Sequence, residues 1–144
     1  MKIRLSVLAV CSLILAACQS NAPRLGKEGR KLNEIRHICI IEPSDAENNL
    51  NPYFAKALQQ HGISSESVNV KTDRKRLYQD ECRYNLRYTP SFNSRDRQKL
   101  TYLNVLIRTP DHPVASFRSR SPDGKDLQTQ VSRTVSSLLG KNTQ

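Results

Sequence analysis

Apolar spacing changes along the chain, and each kind of spacing predicts an element. Ile35 to Ile41 is a short β-branched run stopped by Glu42-Pro43, the pattern of a buried strand. Leu50, Tyr53, Phe54, Ala57, Leu58 and His61 then recur at three- and four-residue steps, which puts them on one face of a helix. Asn51 is placed to cap that helix with Pro52 at its first position, and Gly62 to end it. A start at Ser44, where Ser44 and Glu47 have capping-box spacing, would leave Pro52 inside the helix. Ser67 to Lys71 reads as a weaker strand, and residues 72–81 as a charged loop or a single helical turn. From Cys82 the period becomes two: Cys82, Tyr84, Leu86 and Tyr88 point one way, Arg83, Asn85 and Arg87 the other. Leu100 to Arg108 and Val114 to Ser119 are two more strands, joined by a turn that Pro110 and Pro113 impose. Leu127, Val131, Val135 and Leu138 close the chain with an amphipathic helix that Gly140 stops.

The order β-α-β-β-β-β-α predicts an α+β fold: a two-layer sandwich whose mainly antiparallel sheet carries both helices on one face. Cys82, on the inward side with Tyr84 and Leu86, would then face the helix layer.

The N-terminus stands outside this pattern. Lys2 and Arg4 precede an apolar stretch from Leu5 to Leu15, followed by small residues, which are the parts of a secretory signal. That stretch is too short for a bilayer, which needs about 20 helical residues. The run Leu15-Ala16-Ala17-Cys18 resembles the lipobox of bacterial lipoproteins. The resemblance implies cleavage of residues 1–17, a diacylglycerol on the Cys18 thiol and an acyl chain, palmitate in type, on the new amine. The other reading is an ordinary cleaved signal with a coincidental cysteine. Two or more chains anchor stably where one is marginal. Gln19, where an Asp marks inner-membrane retention in such lipoproteins, implies the outer membrane, periplasmic side. Residues 18–33 then read as the lipidated cysteine and a flexible basic tether, and residues 34–141 as the periplasmic domain.

Composition first suggests something else. A net charge of +10 in 144 residues, with four cysteines, invites a nucleic-acid or zinc reading. Both weaken once the signal is removed. Cys11 leaves with it and Cys18 carries lipid, so Cys39 and Cys82 remain, without the paired C-x₂-C spacing of a zinc site. In an oxidising compartment they read as one disulfide, worth ~4 kcal/mol for the span it closes. Two buried free thiols are the alternative. The chain has no Trp, and its sequence offers neither an aromatic stacking platform nor a reading helix for nucleic acid.

The strand Ile38-Cys39-Ile40-Ile41-Glu42, the following helix and the run Cys82-x-Tyr84-x-Leu86-x-Tyr88-Thr89 together resemble a family of small uncharacterised proteobacterial lipoproteins first named from a Shewanella locus. The resemblance spans roughly residues 15–140 and implies an envelope address and the same fold, but no activity.

Catalytic templates are absent: there is no G-x-S-x-G, H-E-x-x-H or phosphate-binding glycine loop. His37, His61 and His112 are scattered, so neither a cofactor nor a metal is expected. The remaining lead is basic. Arg83 and Arg87 face away from the apolar side of their strand, and Arg118 and Arg120 share one side of theirs, with Tyr102 nearby. Such a face would meet an envelope protein or an anionic envelope component. The expectation is a non-enzymatic outer-membrane lipoprotein, a scaffold or interaction module. Its alternatives are direct binding of anionic lipid or lipopolysaccharide, and a cell-wall hydrolase whose fold gathers His37 or His112 with a carboxylate.

Overall fold

Ile38, Cys39 and Ile40 are all buried to within 1% of full exclusion, so the strand that holds them has no solvent face. The computed structural model describes residues 22–26, 29–120 and 126–141. The signal, the lipobox and Cys18 lie outside the described residues. Strands β1 (Arg24–Leu25) and β2 (His37–Ile41) precede helix α1 (Asn51–Gln59). Strands β3 (Ser64–Val68), β4 (Asn85–Phe92), β5 (Leu100–Arg108) and β6 (Pro113–Arg120) follow, and helix α2 (Leu127–Leu138) closes the fold. All six strands join one sheet in the order β1-β6-β5-β4-β2-β3. Strand β2 runs parallel to both β3 and β4, and every other pair is antiparallel. The fold is α+β, an open mixed sheet with two helices.

Parallel neighbours cannot be joined by a hairpin, so each pair flanking β2 needs a crossover. Helix α1 makes the first, from β2 to β3. The segment between β3 and β4 makes the second, and its two 3-10 turns (Arg74–Tyr78 and Asp80–Cys82) lie on the sheet face away from the helices. Two cores result. The larger packs Phe54, Ala57 and Leu58 of α1 and Val131, Val135 and Leu138 of α2 against Ile38, Ile40, Leu86, Leu103, Val105 and Ile107. The smaller, under the second crossover, holds Cys39, Val68, Leu77 and Cys82.

Several boundaries differ from the pattern reading. Cys82 does not begin a strand: it closes a 3-10 turn, and β4 starts at Asn85. It therefore sits in the smaller core, on the face opposite Leu86, because the crossover must pass over β2 before β4 can pair with it. Strand β3 spans Ser64–Val68 rather than Ser67–Lys71; as an edge strand with mostly polar side chains it shows no alternation to read. Part of the stretch read as a free tether is seated on the domain. Arg24 and Leu25 pair with Ser116 and Ala115, and Leu32 is buried beneath a 3-10 turn over Gly29–Glu34. Gly26 permits this, since a Cβ there would stand 2.1 Å from the Pro113 carbonyl oxygen.

At the start of α1, Asn49 rather than Asn51 serves the backbone: its Oδ1 accepts from the Asn51 N–H at 2.9 Å. Asn51 instead points inward. Its Oδ1 accepts the Tyr88 hydroxyl proton at 2.6 Å, while that hydroxyl accepts from the Leu50 N–H at 2.8 Å. The Tyr88 ring stacks on Phe54 with centroids 4.7 Å apart. One phenol thus joins β4 to the first turn of α1. At the far end of the helix pair, His61 Nε2 meets Ser136 Oγ at 3.0 Å.

Burial, assisted by the Glu42 charge, pushes the Tyr88 pKa up to about 12. An unfolded phenol ionises near pH 10, so between about 10 and 12 only the unfolded state has released its proton. The stabilisation is complete below pH 10 and is lost as pH rises through that window. Tyr88→Phe is expected to cost about 1–3 kcal/mol at neutral pH, by leaving the Leu50 N–H and Asn51 Oδ1 unpaired, and to remove this alkaline loss. Urea unfolding at a series of pH values measures both.

Candidate functional site

Alternation along four antiparallel strands builds the face that, among the described residues, no helix covers. On β4 the outward positions are Asn85, Arg87, Thr89 and Ser91; on β5 they are Tyr102, Asn104, Leu106 and Arg108. Strand β6 adds Ser116, Arg118 and Arg120, and β1 adds Arg24 beside Ser116. No carboxylate stands at any of these positions. Registration makes the rows: Arg87, Leu106, Ser116 and Arg24 cross the sheet in line, as do Ser91, Tyr102 and Arg120. Arg24, Arg87, Arg118 and Arg120 are exposed, and among the described residues none has a carboxylate partner.

Two clefts mark this face. One, of about 440 Å³, is lined by Arg24, Asn104, Leu106, Ser116 and Arg118. The Arg118 guanidinium lies over the Tyr102 ring, 5.0 Å from its centre, a cation–π contact that orients the fork. The other, of about 230 Å³, lies where the second crossover meets the open sheet and is lined by Arg74, Tyr78, Asn85, Arg87 and Arg108. Arg108 is held there by the Thr109 and Pro110 carbonyls, which accept from its Nε at 3.0 Å and Nη2 at 3.1 Å. A planar guanidinium offers paired donors to phosphate or carboxylate oxygens, and among the described residues Arg24, Arg87, Arg118 and Arg120 have no carboxylate partner to use that capacity.

The four arginines read from the sequence divide three to one. Arg87, Arg118 and Arg120 share the open face. Arg83 precedes β4, on the turn after Cys82, with its guanidinium 6.0 Å from the Tyr84 ring centre. Alternation extrapolated back to Cys82 put it on the strand; the 3-10 turn removes it. Arg24 and Arg108 join the three on the open face: no apolar periodicity in residues 18–33 signals a strand at Arg24, while the i, i+2 spacing from Leu106 is the signal that places Arg108 outward.

A second constellation gathers at the β2–β3 edge. Cys39 and Cys82 form a disulfide, with Cα atoms 5.2 Å apart and a separation of 43 residues. Glu66 Oε1 lies 3.2 Å from Cys39 Sγ and 3.4 Å from Cys82 Sγ. These are packing contacts, since disulfide sulfurs carry no hydrogen. The same oxygen accepts from Arg76 Nη2 at 2.7 Å and Nε at 3.1 Å, which raises the Arg76 pKa above its ordinary value. His37 Nε2 is 3.4 Å from it, and His37 Nδ1 is 2.7 Å from Ser64 Oγ.

Serine, histidine and glutamate in contact invite a hydrolase reading. One competing hydrogen bond bears on it: Ser64 Oγ has one proton, and besides His37 Nδ1 at 2.7 Å it has the Arg36 carbonyl within reach at 3.1 Å. His112 lies apart from this group, in the β5–β6 turn, where its backbone N–H donates to Thr109 Oγ1 at 3.2 Å. Comparison with protein families, with curated proteins and with solved structures returned no match.

The disulfide fixes the crossover to β2. Replacing both cysteines by serine is expected to cost ~4 kcal/mol on the chain-entropy account of a 43-residue loop. Amide exchange in residues 72–83 should rise more than in α2, because the larger core does not include the crossover. A double variant as stable as the parent would show that packing alone holds the crossover.

Proposed function

We propose that this protein is a lipid-anchored lipoprotein of the bacterial envelope, without enzymatic activity, whose open sheet face binds the anionic surface of the membrane that holds it. The arginine face carries the reading: exposed Arg24, Arg87, Arg118 and Arg120 come from three strands, with Arg108 between them and no carboxylate in the rows. The signal ending in Leu15-Ala16-Ala17-Cys18 supports the anchor, Gln19 supports the outer membrane with the domain in the periplasm, and the resemblance to small proteobacterial lipoproteins agrees with both. The Arg36 carbonyl, which competes with His37 for the Ser64 hydroxyl proton, and the absence of a catalytic motif in the sequence support the non-enzymatic part.

Distance favours the membrane surface over a remote partner. A tether free to residue 33 would span about 50 Å when extended, at ~3.3 Å per residue. With β1 in the sheet, the six steps from Cys18 to Arg24 reach at most roughly 20 Å. An acylated Cys18 would therefore keep the β1 edge of the arginine face near the headgroups. Each such cation near an anionic surface contributes about 1 kcal/mol.

The chain from residue 19 onward, without lipid, is expected to sediment with phosphatidylglycerol or lipopolysaccharide vesicles and not with phosphatidylcholine. Binding should weaken steeply with salt, as the screening length falls from about 30 Å at 0.01 M to about 8 Å at 0.15 M. Arg87→Glu, Arg118→Glu and Arg120→Glu should each lower affinity at least about fivefold, whereas the same change at Arg83 should cost less. Equal binding to neutral vesicles, or a triple variant that binds like the parent, overturns the reading. Crosslinking in native membranes to an acidic protein, lost in the triple variant while vesicles are ignored, would replace it with protein docking.

A further inference from the structure

The β2–β3 edge presents more electron-pair donors than a disulfide needs. His37 Nδ1 lies 2.7 Å from Ser64 Oγ, which is also within 3.1 Å of the Arg36 carbonyl; with the imidazole proton on Nδ1, Nε2 turns a lone pair inward. Nε2 faces Glu66 Oε1 at 3.4 Å and Cys39 Sγ at 3.8 Å. The ligand atoms of His37, Cys39 and Glu66 all lie within 4.8 Å of one another, and Cys82 Sγ completes a group of four. With the proton on Nδ1, these are four electron-pair donors gathered at one edge, the kind of group that can hold a cation.

We propose that, when the Cys39–Cys82 bond is reduced, Cys39, Cys82, His37 and Glu66 bind one Zn²⁺. Zinc takes sulfur at about 2.3 Å and nitrogen or oxygen at about 2.0–2.2 Å in a tetrahedron, whose edges are then roughly 3.3–3.8 Å. Three edges of the present cluster already have such lengths, His37–Glu66 and Cys82–Glu66 at 3.4 Å and His37–Cys39 at 3.8 Å, and the Cys39–Glu66 edge at 3.2 Å must open slightly. The Cys39–Cys82 edge must lengthen, which breaking the bond allows. A dithiol reductant supplies two electrons and two protons and is itself oxidised to a disulfide, leaving two thiols on the chain. Zinc then displaces both protons as two Zn–S bonds form.

The surroundings suit the ion. Two thiolates, one carboxylate and a neutral imidazole around Zn²⁺ leave one negative charge, and the Arg76 guanidinium on Glu66 balances it. Ser64 orients the imidazole through its other nitrogen, as outer partners of metal-bound histidines do. Both cysteines are fully buried, but the His37 and Glu66 side chains are 32% and 36% exposed, which gives the metal a way in. Metal and disulfide would be alternative closures of one clamp, each fixing the second crossover to β2. The spacing 37, 39, 66 and 82 resembles no zinc motif because three separate segments supply the ligands.

Cobalt(II) tests this, because tetrahedral thiolate coordination gives a sulfur-to-cobalt charge-transfer band and intense visible bands. The full soluble chain, reduced with a phosphine and stripped with chelator, is expected to take up one Co²⁺ with both features, and Zn²⁺ should displace it. The oxidised chain should show neither. His37→Ala and Glu66→Gln should each weaken binding at least about tenfold, and Cys39→Ser should remove the charge-transfer band or halve it. Circular dichroism covers the case in which reduction loosens the fold: metal should then restore the native spectrum. A reduced chain without tetrahedral cobalt bands overturns the proposal. So does affinity unchanged by both His37→Ala and Glu66→Gln, which would reduce the site to two adventitious thiolates.

Discussion

Strand β2 is apolar on both faces and parallel to the strands on both sides, and the rest of the fold follows from how that constraint is met. Ile38 and Ile40 turn toward the helix layer while Cys39 turns to the other side. A strand buried on both faces needs cover on both, and parallel neighbours need crossovers rather than hairpins. One requirement serves the other. Helix α1 covers the first face on its way to β3, and residues 72–84 cover the second on their way to β4. That second crossover is short and mostly polar, with Leu77 as its main apolar contribution. A covalent bond to Cys39 supplies what its small core does not.

The same economy leaves the other half of the sheet bare. Strands β4, β5 and β6 connect by hairpins, and among the described residues no element passes over the outward side chains of β4, β5, β6 and β1. Outward positions on such strands need only be polar, yet here they carry arginines without acids. Each faces a neutral residue on the neighbouring strand, so the charges are left available to an outside partner. Tyr102 beneath Arg118, and the loop carbonyls that hold Arg108, fix two of the guanidinium groups in place. Groups held before binding lose less freedom when an anion arrives.

Much of this was legible from residue order. Helices α1 and α2 and strands β5 and β6 are strongly periodic, and each lies within a few residues of where its pattern predicts, because one face of each is buried in the larger core. Arg87, Arg118 and Arg120 followed from the same alternation. The pairing of Cys39 with Cys82 matches the count of thiols expected to remain if Cys11 and Cys18 are set aside. Elements stabilised by partners rather than by their own pattern were missed or displaced. Strand β1 has two residues and exists only through its pairing with β6. Strand β3 is a polar edge, and the first residues of the predicted third strand were taken by a 3-10 turn that the crossover demands.

Local periodicity, then, determined the secondary elements, the fold class and the identity of the disulfide partners, since each depends on spacing within a short window or on arithmetic. Which face Cys82 occupies, that Arg24 belongs to the arginine face, and that His37 and Glu66 flank the disulfide were decided by the tertiary structure alone. All three depend on strand order, in which β2 lies between β3 and β4 and β1 beside β6. Strand order is set by how two apolar faces and two crossovers can be packed together, a balance over the whole chain that no short stretch of it records.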